Sequence, residues 1–246
     1  MSVETRYLYK YFPPKDYALD VIAKGTIKFS DPFREFNDTF DSKPHLKAGS
    51  FDEFVRFSKK NLGIKRSKGE YRKIFDRKHN EIFKGTWSKN PTHSYGVLCL
   101  TRNPNSLLMW AHYAQNHEGF LVAFKFDRWH YLDGDPIFPM PINYANNRPS
   151  IFFWESNEIG KWNLTKGCDW AYEQEERIII KNAGIHSYDR ASTLIGVVAG
   201  SSIRSEYFER LKQAVQIASK EIGRDIPLSK ATLSEYSYEV CVPELF

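Results

Sequence analysis

The chain has 246 residues, of which 41% are hydrophobic and 26% charged, and its formal net charge is +5. These values are ordinary for a globular protein, and the length allows a core that needs neither disulfides nor metal ions. No run of about eighteen apolar residues is present, so we expect no membrane span, and the first residues do not resemble a signal peptide. Three scattered cysteines, Cys99, Cys168 and Cys241, favour a reducing compartment, and we expect a cytoplasmic protein.

The first part of the chain predicts two strands separated by a helix. Tyr7–Phe12 and Thr26–Ser30 have strand-like composition, and Asp16–Lys24 has a helical pattern that Gly25 would end. The polar loop that follows is dense in Asp, Asn, Pro and Ser, which favour turns.

A basic segment comes next. Ser50–Glu53 has the pattern of a capping box and predicts the start of one helix, and apolar spacing over Tyr71–Phe83 predicts a second, ended by Gly85. Between Arg56 and Lys89 there are twelve basic and three acidic residues, a charge of +9 that leaves −4 for the rest of the chain. Such a surface can attract nucleic acid or another anionic partner, or it can be an ordinary solvated helical face. The residues expected to contact such a partner are Lys65, Arg66, Lys68, Arg72 and Lys73.

The remaining chain predicts more strands and helices. The best strand candidates are Tyr95–Thr101 and Gly119–Phe126, with a short helix at Ser106–Gln115 between them. Further strands are expected at Met140–Tyr144, Glu175–Lys181, Ile195–Ala199 and Tyr236–Val242, a helix at Ile203–Ile222, and irregular structure over Pro149–Thr165. These elements indicate a single α+β domain, 1–246, with a mixed or antiparallel twisted sheet, packed helices and a basic two-helix insert at about 50–90.

Two motifs combine polar and aromatic side chains. Asn37 and Asp38 lie in the early polar loop, where they suit a structural turn but can also hold a ligand hydroxyl or a cation. His112 lies on the predicted helix between Trp110 and Tyr113, as either a core histidine or an acid/base group. His112 and His117 are five residues apart, so they do not form a helical metal pair, and we expect no zinc site.

A third motif precedes the triplet Ile178-Ile179-Ile180. If this run is extended, Glu173, Glu175 and Arg177 share one face of the strand. Two carboxylates beside an arginine at the edge of a core must be paired or near solvent. The motif is therefore either a structural ion pair or a carboxylate held by arginine in a cleft, where it can stabilise a cationic transition state.

Taken in order, the motifs resemble the bacterial family catalogued as domain of unknown function 2971, over nearly the whole chain. The residues that carry this resemblance are LYKYF, GTIKFSDPFREFNDTFD, VLCLT, LLMWAHYAQNHEGFLVAF, DWAYEQEERIII and VVAGSSI. The resemblance implies a stand-alone bacterial cytoplasmic protein and no particular activity.

The order of elements is also similar to that of ADP-ribosyltransferases, although the first strand lacks their usual His or Arg and no Ser-Thr-Ser motif is clear. This second resemblance implies NAD as co-substrate, with a glutamate that anchors the nicotinamide ribose and an aromatic ring on the nicotinamide. Carried over to this chain, Glu175 is the catalytic carboxylate and Glu173 the second choice, and we add His112 as a candidate catalytic group. The candidate cofactor-binding residues are Tyr9, Lys10, Tyr11, Asn37, Asp38, Trp110, Tyr113 and Arg177.

The leading hypothesis from the sequence is therefore an NAD-dependent transferase that modifies a macromolecule. A second hypothesis is a non-enzymatic nucleic-acid-binding protein that acts through the basic helices. A third is a nuclease or hydrolase that holds a divalent metal with Asp38, Asp41, Glu173 and Glu175.

Overall fold

A computed structural model describes residues 5–47, 49–83, 95–127, 130–132, 135–155 and 159–243. The helices in these ranges are α1 (Asp16–Ala23), α2 (Pro32–Glu35), α3 (Phe51–Asn61), α4 (Lys68–Phe83), α5 (Leu107–Tyr113), α6 (Ile159–Asn163), α7 (Arg190–Thr193) and α8 (Ser205–Ile222). The strands are β1 (Arg6–Phe12), β2 (Thr26–Phe29), β3 (His45–Lys47), β4 (Gly96–Thr101), β5 (Phe120–Phe126), β6 (His130–Leu132), β7 (Asp135–Ile137), β8 (Met140–Pro141), β9 (Asn143–Ala145), β10 (Ser150–Phe152), β11 (Thr165–Gly167), β12 (Glu175–Ile180), β13 (Gly184–Ser187), β14 (Leu194–Ala199), β15 (Leu228–Lys230), β16 (Thr232–Leu233) and β17 (Val240–Cys241). A 3-10 helix spans Cys168–Glu173.

A seven-stranded sheet in the order β15-β14-β5-β1-β4-β12-β8 organises the first of two compact units, residues 1–30, 96–142 and 169–246. Its neighbouring strands are antiparallel except for β14 and β15, which are parallel and joined through α8. A parallel pair needs such a long crossover connection, whereas antiparallel neighbours do not. The α+β class and the mixed sheet predicted from the sequence are confirmed.

The two faces of this sheet carry different cores. One face packs against α1 and α8 and includes Leu8, Leu100 and Ile178. The other packs against α5 and includes Tyr11, with Trp110 from that helix. Because successive residues of a strand point to opposite faces, Tyr9, Thr101 and Arg177 lie on the α5 face.

The second unit comprises residues 31–95 and 143–168. An aromatic cluster of Phe54, Tyr71, Phe75, Phe153 and Trp154 forms its core and joins α3 and α4 to the segment after β10. The sequence predicts a basic two-helix insert at about 50–90. In the structure both basic helices belong to a larger unit that also contains β3, β9, β10 and β11. Packing between aromatic side chains therefore stabilises this unit.

Most predicted elements are confirmed, and the capping box at Ser50 is present, with Ser50 and Glu53 each accepting from the other's backbone N–H. Three predictions about local structure were wrong. Pro149–Thr165 is not wholly irregular, since it contains β10 and α6, and the last strand is two residues long rather than seven. The segment before β12 is not extended, because it folds as the 3-10 helix. Gly85, Lys84 and Lys89 lie outside the described residues.

Gly119 provides a test of how tightly β5 is joined to β1. A Cβ atom at this position would lie 2.0 Å from the carbonyl oxygen of Phe12, so Gly119→Ala should force the backbones apart. We expect urea denaturation to show a loss of about 2–3 kcal/mol in the free energy of unfolding. Gly69→Ala is the matched control, because nothing lies within 4 Å of its Cβ position, and it should be neutral or stabilising. Equal effects of the two variants would contradict this packing.

Candidate functional site

A row of three side chains crosses the centre of the sheet on the α5 face. Tyr9 of β1 is directly opposite Thr101 of β4, and Thr101 is directly opposite Glu175 of β12. Directly opposed residues of antiparallel strands share a face, so a tyrosine, a threonine and a carboxylate lie side by side. Arg177, two residues along β12 from Glu175, lies on the same face.

Two buried acids, Glu173 and Glu175, lie on either side of the turn that leads into β12. Gln174 has a left-handed backbone with φ of 43°, and it separates the end of the 3-10 helix, Glu173, from the start of the strand, Glu175. The Thr101 hydroxyl donates to the Glu173 carbonyl oxygen at 2.5 Å, and the Arg102 N–H donates to the Gln174 carbonyl oxygen at 3.1 Å. A left-handed non-glycine residue is strained, and these two bonds from β4 hold it in place.

Glu175 is held by an arginine of its own strand. Arg177 Nε donates to Glu175 Oε1 at 2.7 Å and Arg177 Nη2 donates to Oε2 at 3.1 Å, a two-pronged contact. Both side chains are buried, with 0% of Arg177 and 3% of Glu175 exposed. Charged hydrogen bonds of this kind are strong, and burial makes the loss of either partner costly. Glu175 is therefore a carboxylate whose position and orientation are fixed.

Glu173 is held by the short helix α5. The Tyr113 hydroxyl donates to Glu173 Oε1 at 2.6 Å. The helix is itself anchored, because Ser106 caps its N-terminus by accepting from the Met109 N–H, and Trp110 is completely buried. We refer to Thr101, Tyr113, Glu173, Glu175 and Arg177 as the carboxylate cluster. Through Tyr113, Glu173 thus contacts the helix that carries the Trp-Ala-His-Tyr motif.

Two further basic residues lie near the acids of this segment, Glu173, Glu175 and Glu176. Arg6 pairs with the buried Glu176 at 2.9 Å, and Lys10 Nζ donates to the Cys99 carbonyl oxygen at 3.1 Å. Burial lowers the pKa of Lys10, while Cys99, Glu175 and Glu173 act in the opposite direction. Arg177 and Arg6 thus pair with neighbouring carboxylates of β12, Glu175 and Glu176, on opposite faces of the sheet.

The sequence also predicts that Tyr9, Tyr11, Trp110 and His112 belong to the site, and these four residues differ in exposure. Tyr9 is partly exposed, and burial, followed by repulsion from Tyr7, raises its pKa. Tyr11 is buried and donates to the Asn103 carbonyl oxygen, and burial raises its pKa strongly. Trp110 lies edge-on to Tyr11, and its indole nitrogen donates to the Pro104 carbonyl oxygen at 2.9 Å. These two rings support the helix, and His112 on the same helix is exposed to solvent.

The loop of Asn37 and Asp38 belongs to the second unit. Asn37 is exposed, and Asp38 accepts from the Phe40 N–H at 2.8 Å, the side-chain turn typical of aspartate. Asp41 is buried and pairs with Lys166 at 3.6 Å. Among the residues that the structure describes, no group of three or more His, Cys, Asp or Glu side chains is arranged to hold a metal ion.

Sequence reasoning missed two residues of the site. Thr101 was assigned only as the end of a strand, although it fixes the turn between the two acids. Arg6 was not considered, although it pairs with Glu176 across 170 positions of sequence. Neither pairing has a local signal, because each depends on which strands become neighbours in the sheet.

Comparison with known proteins adds no identification: no family model, no curated protein and no solved structure matches the chain. Across the described residues, none of the helices combines the length and the apolar character needed to cross a membrane. The function must therefore be argued from the site itself.

The carboxylate cluster combines a fixed negative charge with a hydrogen-bonded acid. Glu175 cannot turn away from its position without breaking two charged hydrogen bonds, so it acts as an oriented charge in a poorly solvated place. Glu173 shares a short hydrogen bond with a phenol, an arrangement that can pass or hold a proton. Tyr113, a member of the cluster, and Tyr9, directly opposite Thr101, are both partly exposed. Such an arrangement suits reactions in which positive charge develops on a sugar.

The coupling between Glu175 and Arg177 is measurable with a double-mutant cycle. We expect Arg177→Met to lower the free energy of unfolding by about 3–5 kcal/mol, because it leaves Glu175 without its two charged hydrogen bonds. In combination with Glu175→Gln the loss should be smaller than the sum of the two single losses by at least about 1 kcal/mol. The exposed pair Asp20–Lys24 is the control and should couple by less than about 1 kcal/mol. Additive losses at Glu175 and Arg177 would contradict the proposed interaction.

Proposed function

We propose that this protein is a transferase that cleaves NAD and attaches the ADP-ribosyl group to a macromolecule. The observation that carries the proposal is the carboxylate cluster, in which two buried glutamates converge beside Tyr113 on the face that also bears Tyr9. Breaking the bond between nicotinamide and ribose leaves positive charge on the sugar, and a preorganised carboxylate stabilises such charge. The similarity of the motif order to ADP-ribosyltransferases is consistent with this chemistry.

Each member of the cluster has a defined role in this proposal. Glu175 would supply the negative charge next to the ribose, and Arg177 is a positioning residue that fixes the carboxylate. Glu173, hydrogen-bonded to Tyr113, would accept the proton that the acceptor nucleophile loses on attack. Tyr9 and Tyr113 have partly exposed rings on which the nicotinamide would pack.

The residues present fit the nicotinamide half of NAD better than its pyrophosphate. A fixed carboxylate and partly exposed aromatic rings match a cationic ring and its ribose. Arg177 and Lys10 already donate to Glu175 and to the Cys99 carbonyl oxygen. Arg102 is half exposed and lies 4.0 Å from Glu176, the neighbour of Glu175 in β12, so it is a cation that could meet a phosphate.

The assay is release of nicotinamide from NAD, together with transfer of label from NAD to a bacterial cell extract. We expect Glu175→Gln and Glu173→Gln each to lower the rate at least about 100-fold, since each removes a charge that acts in the transition state. Glu206→Gln, an exposed glutamate on α8, should leave the rate unchanged. Nuclease and protease digestion of the labelled product then assigns the acceptor class.

Two controls separate loss of chemistry from loss of folding. Tyr113→Phe keeps the ring and removes only the hydroxyl that reaches the buried Glu173, so we expect a slower reaction in a protein that still folds and loses only about 1–3 kcal/mol in the free energy of unfolding. Thermal unfolding of every variant is measured alongside activity. Failure of the unmodified protein to bind or cleave NAD would refute the proposal, as would equal rates for Glu175→Gln and Glu206→Gln.

A second candidate function is nucleic-acid binding through α3 and α4, and the exposure of the basic side chains favours it. The exposed cations of these helices and their connection are Arg56, Lys59, Lys60, Lys65, Arg66, Lys68, Arg72, Lys73 and Arg77. Arg72 pairs with Asp76 at 4.0 Å, and Lys78 pairs with Glu81. An exposed cationic surface of this size can neutralise several phosphates, and the same surface would bring a nucleic-acid acceptor to the transferase.

Charge reversal tests the basic surface. We expect Lys65→Glu, Arg66→Glu and Lys68→Glu together to weaken binding of a labelled RNA or DNA oligonucleotide at least about tenfold. The slope of log affinity against log salt should fall by about three, one for each lost phosphate contact. The matched control reverses Lys212, Lys220 and Lys230, which are exposed in the first unit. Equal losses in both triple variants would show nonspecific attraction and reject a dedicated surface on α3 and α4.

A further inference from the structure

A second candidate site lies on the sheet face opposite to the carboxylate cluster. It is a cavity of about 280 Å³ inside the first unit. Leu100 and Ile178 line it, whereas their chain neighbours Thr101 and Arg177 belong to the carboxylate cluster, so the sheet separates the two sites. The residues that line most of the cavity are the apolar side chains Ile27, Phe29, Leu98, Phe124, Phe126 and Leu132.

The size of this cavity indicates what it can hold. An apolar protein cavity of about 150 Å³ stays dry and binds benzene. At about 280 Å³ the present cavity has nearly twice that volume, enough for a body of two fused rings. Protein interiors contain few voids larger than a water molecule, and unfilled apolar space destabilises a core. A cavity of this size in the main core therefore indicates a binding site.

One end of the cavity is polar. His130, Asp189, Ser192 and Thr193 line it, and a chain of contacts connects them. The Ser192 hydroxyl donates to Asp189 Oδ2 at 2.6 Å and lies 3.4 Å from Thr193 Oγ1, which in turn lies 3.4 Å from His130 Nδ1. Apolar walls with a few convergent polar groups at one end are the usual design of a small-molecule site.

Thr193 is the member of this chain best able to bind a ligand. Asp189 is engaged as the cap of α7, because it accepts from the N–H groups of Ala191 and Ser192 and from the Ser192 hydroxyl. Both contacts of the Thr193 hydroxyl, by contrast, are 3.4 Å long, whereas hydrogen bonds are usually about 2.7–2.8 Å between two oxygens and about 2.9–3.0 Å between nitrogen and oxygen. A ligand hydroxyl at normal distance would therefore compete successfully with them.

We propose that this cavity binds a small molecule with an apolar body of about two fused rings and one hydrogen-bonding group, which Thr193 and His130 recognise. The proposal does not depend on NAD or on the carboxylate cluster, since none of the residues of that cluster line the cavity. A bound molecule here would also stabilise the sheet from behind β4 and β12, the two strands that carry Thr101 and Glu175.

The test compares 2-naphthol with naphthalene, measured by calorimetric titration into the intact protein. We expect both to bind one molecule per chain, and 2-naphthol to bind more tightly. Thr193→Val keeps the side-chain shape and removes the hydroxyl, so it should weaken 2-naphthol about fivefold to tenfold, the value of one hydrogen bond, and change naphthalene less than twofold. Equal weakening of both ligands would overturn the assigned role of Thr193.

Filling the cavity gives a second and independent readout. Ile137→Phe adds a ring to the cavity wall and should abolish binding of both ligands while the protein unfolds at the same or a higher temperature. Ile185→Phe makes the same change at a side chain that is 72% exposed, and binding should remain as in the unmodified protein. Absence of saturable binding to the unmodified protein, or unchanged binding by Ile137→Phe, would overturn the proposal. Should Ile137→Phe fail to fold, the comparison of the two ligands on Thr193→Val decides alone.

Discussion

The buried contact between Glu175 and Arg177 is the constraint on which the rest of the site depends. Two charged groups that are almost inaccessible to solvent remain ionised only when each satisfies the other, and here two hydrogen bonds do so within a single strand. Glu176, the residue between them in β12, faces the other side of the sheet. It is also buried, and it pairs with Arg6. The arrangement therefore fixes the direction in which the Glu175 carboxylate points.

A second consequence is the strained turn at Gln174. Gln174, between the 3-10 helix and β12, is left-handed, and hydrogen bonds from Thr101 at the end of β4 and from the next residue, Arg102, hold the turn. Strained residues that the surrounding structure holds in place are common at functional sites, because such strain fixes groups before a ligand arrives. The same turn brings Glu173 to Tyr113, so a hydrogen bond connects the residue that precedes the turn to helix α5. The sheet also separates the two candidate sites, with the carboxylate cluster on the α5 face and the apolar cavity on the other face.

Local patterns in the sequence were sufficient for most of the fold. The strand Glu175–Ile180, the helix that begins after Ser106 and the capping box at Ser50 follow from alternation, apolar spacing and capping residues, which act over a few positions. The turn at Gln174 could not be predicted, because glutamine seldom adopts a left-handed conformation and the bonds that hold it come from β4. The role of Thr101 and the cavity also depend on pairing between distant strands. The catalytic role of the two acids and the binding of NAD remain predictions.

The most direct test of the central claim is a crystal structure of the protein with an NAD analogue that cannot be cleaved. The account predicts that the nicotinamide lies against Tyr9 or Tyr113 and that the first carbon of its ribose lies within about 6 Å of the Glu175 carboxylate, close enough for a charge interaction. It also predicts that the contact between Glu175 and Arg177 persists in the complex. An analogue bound away from β12, or a complex in which Glu175 is screened from the ribose by its own arginine, would contradict the account.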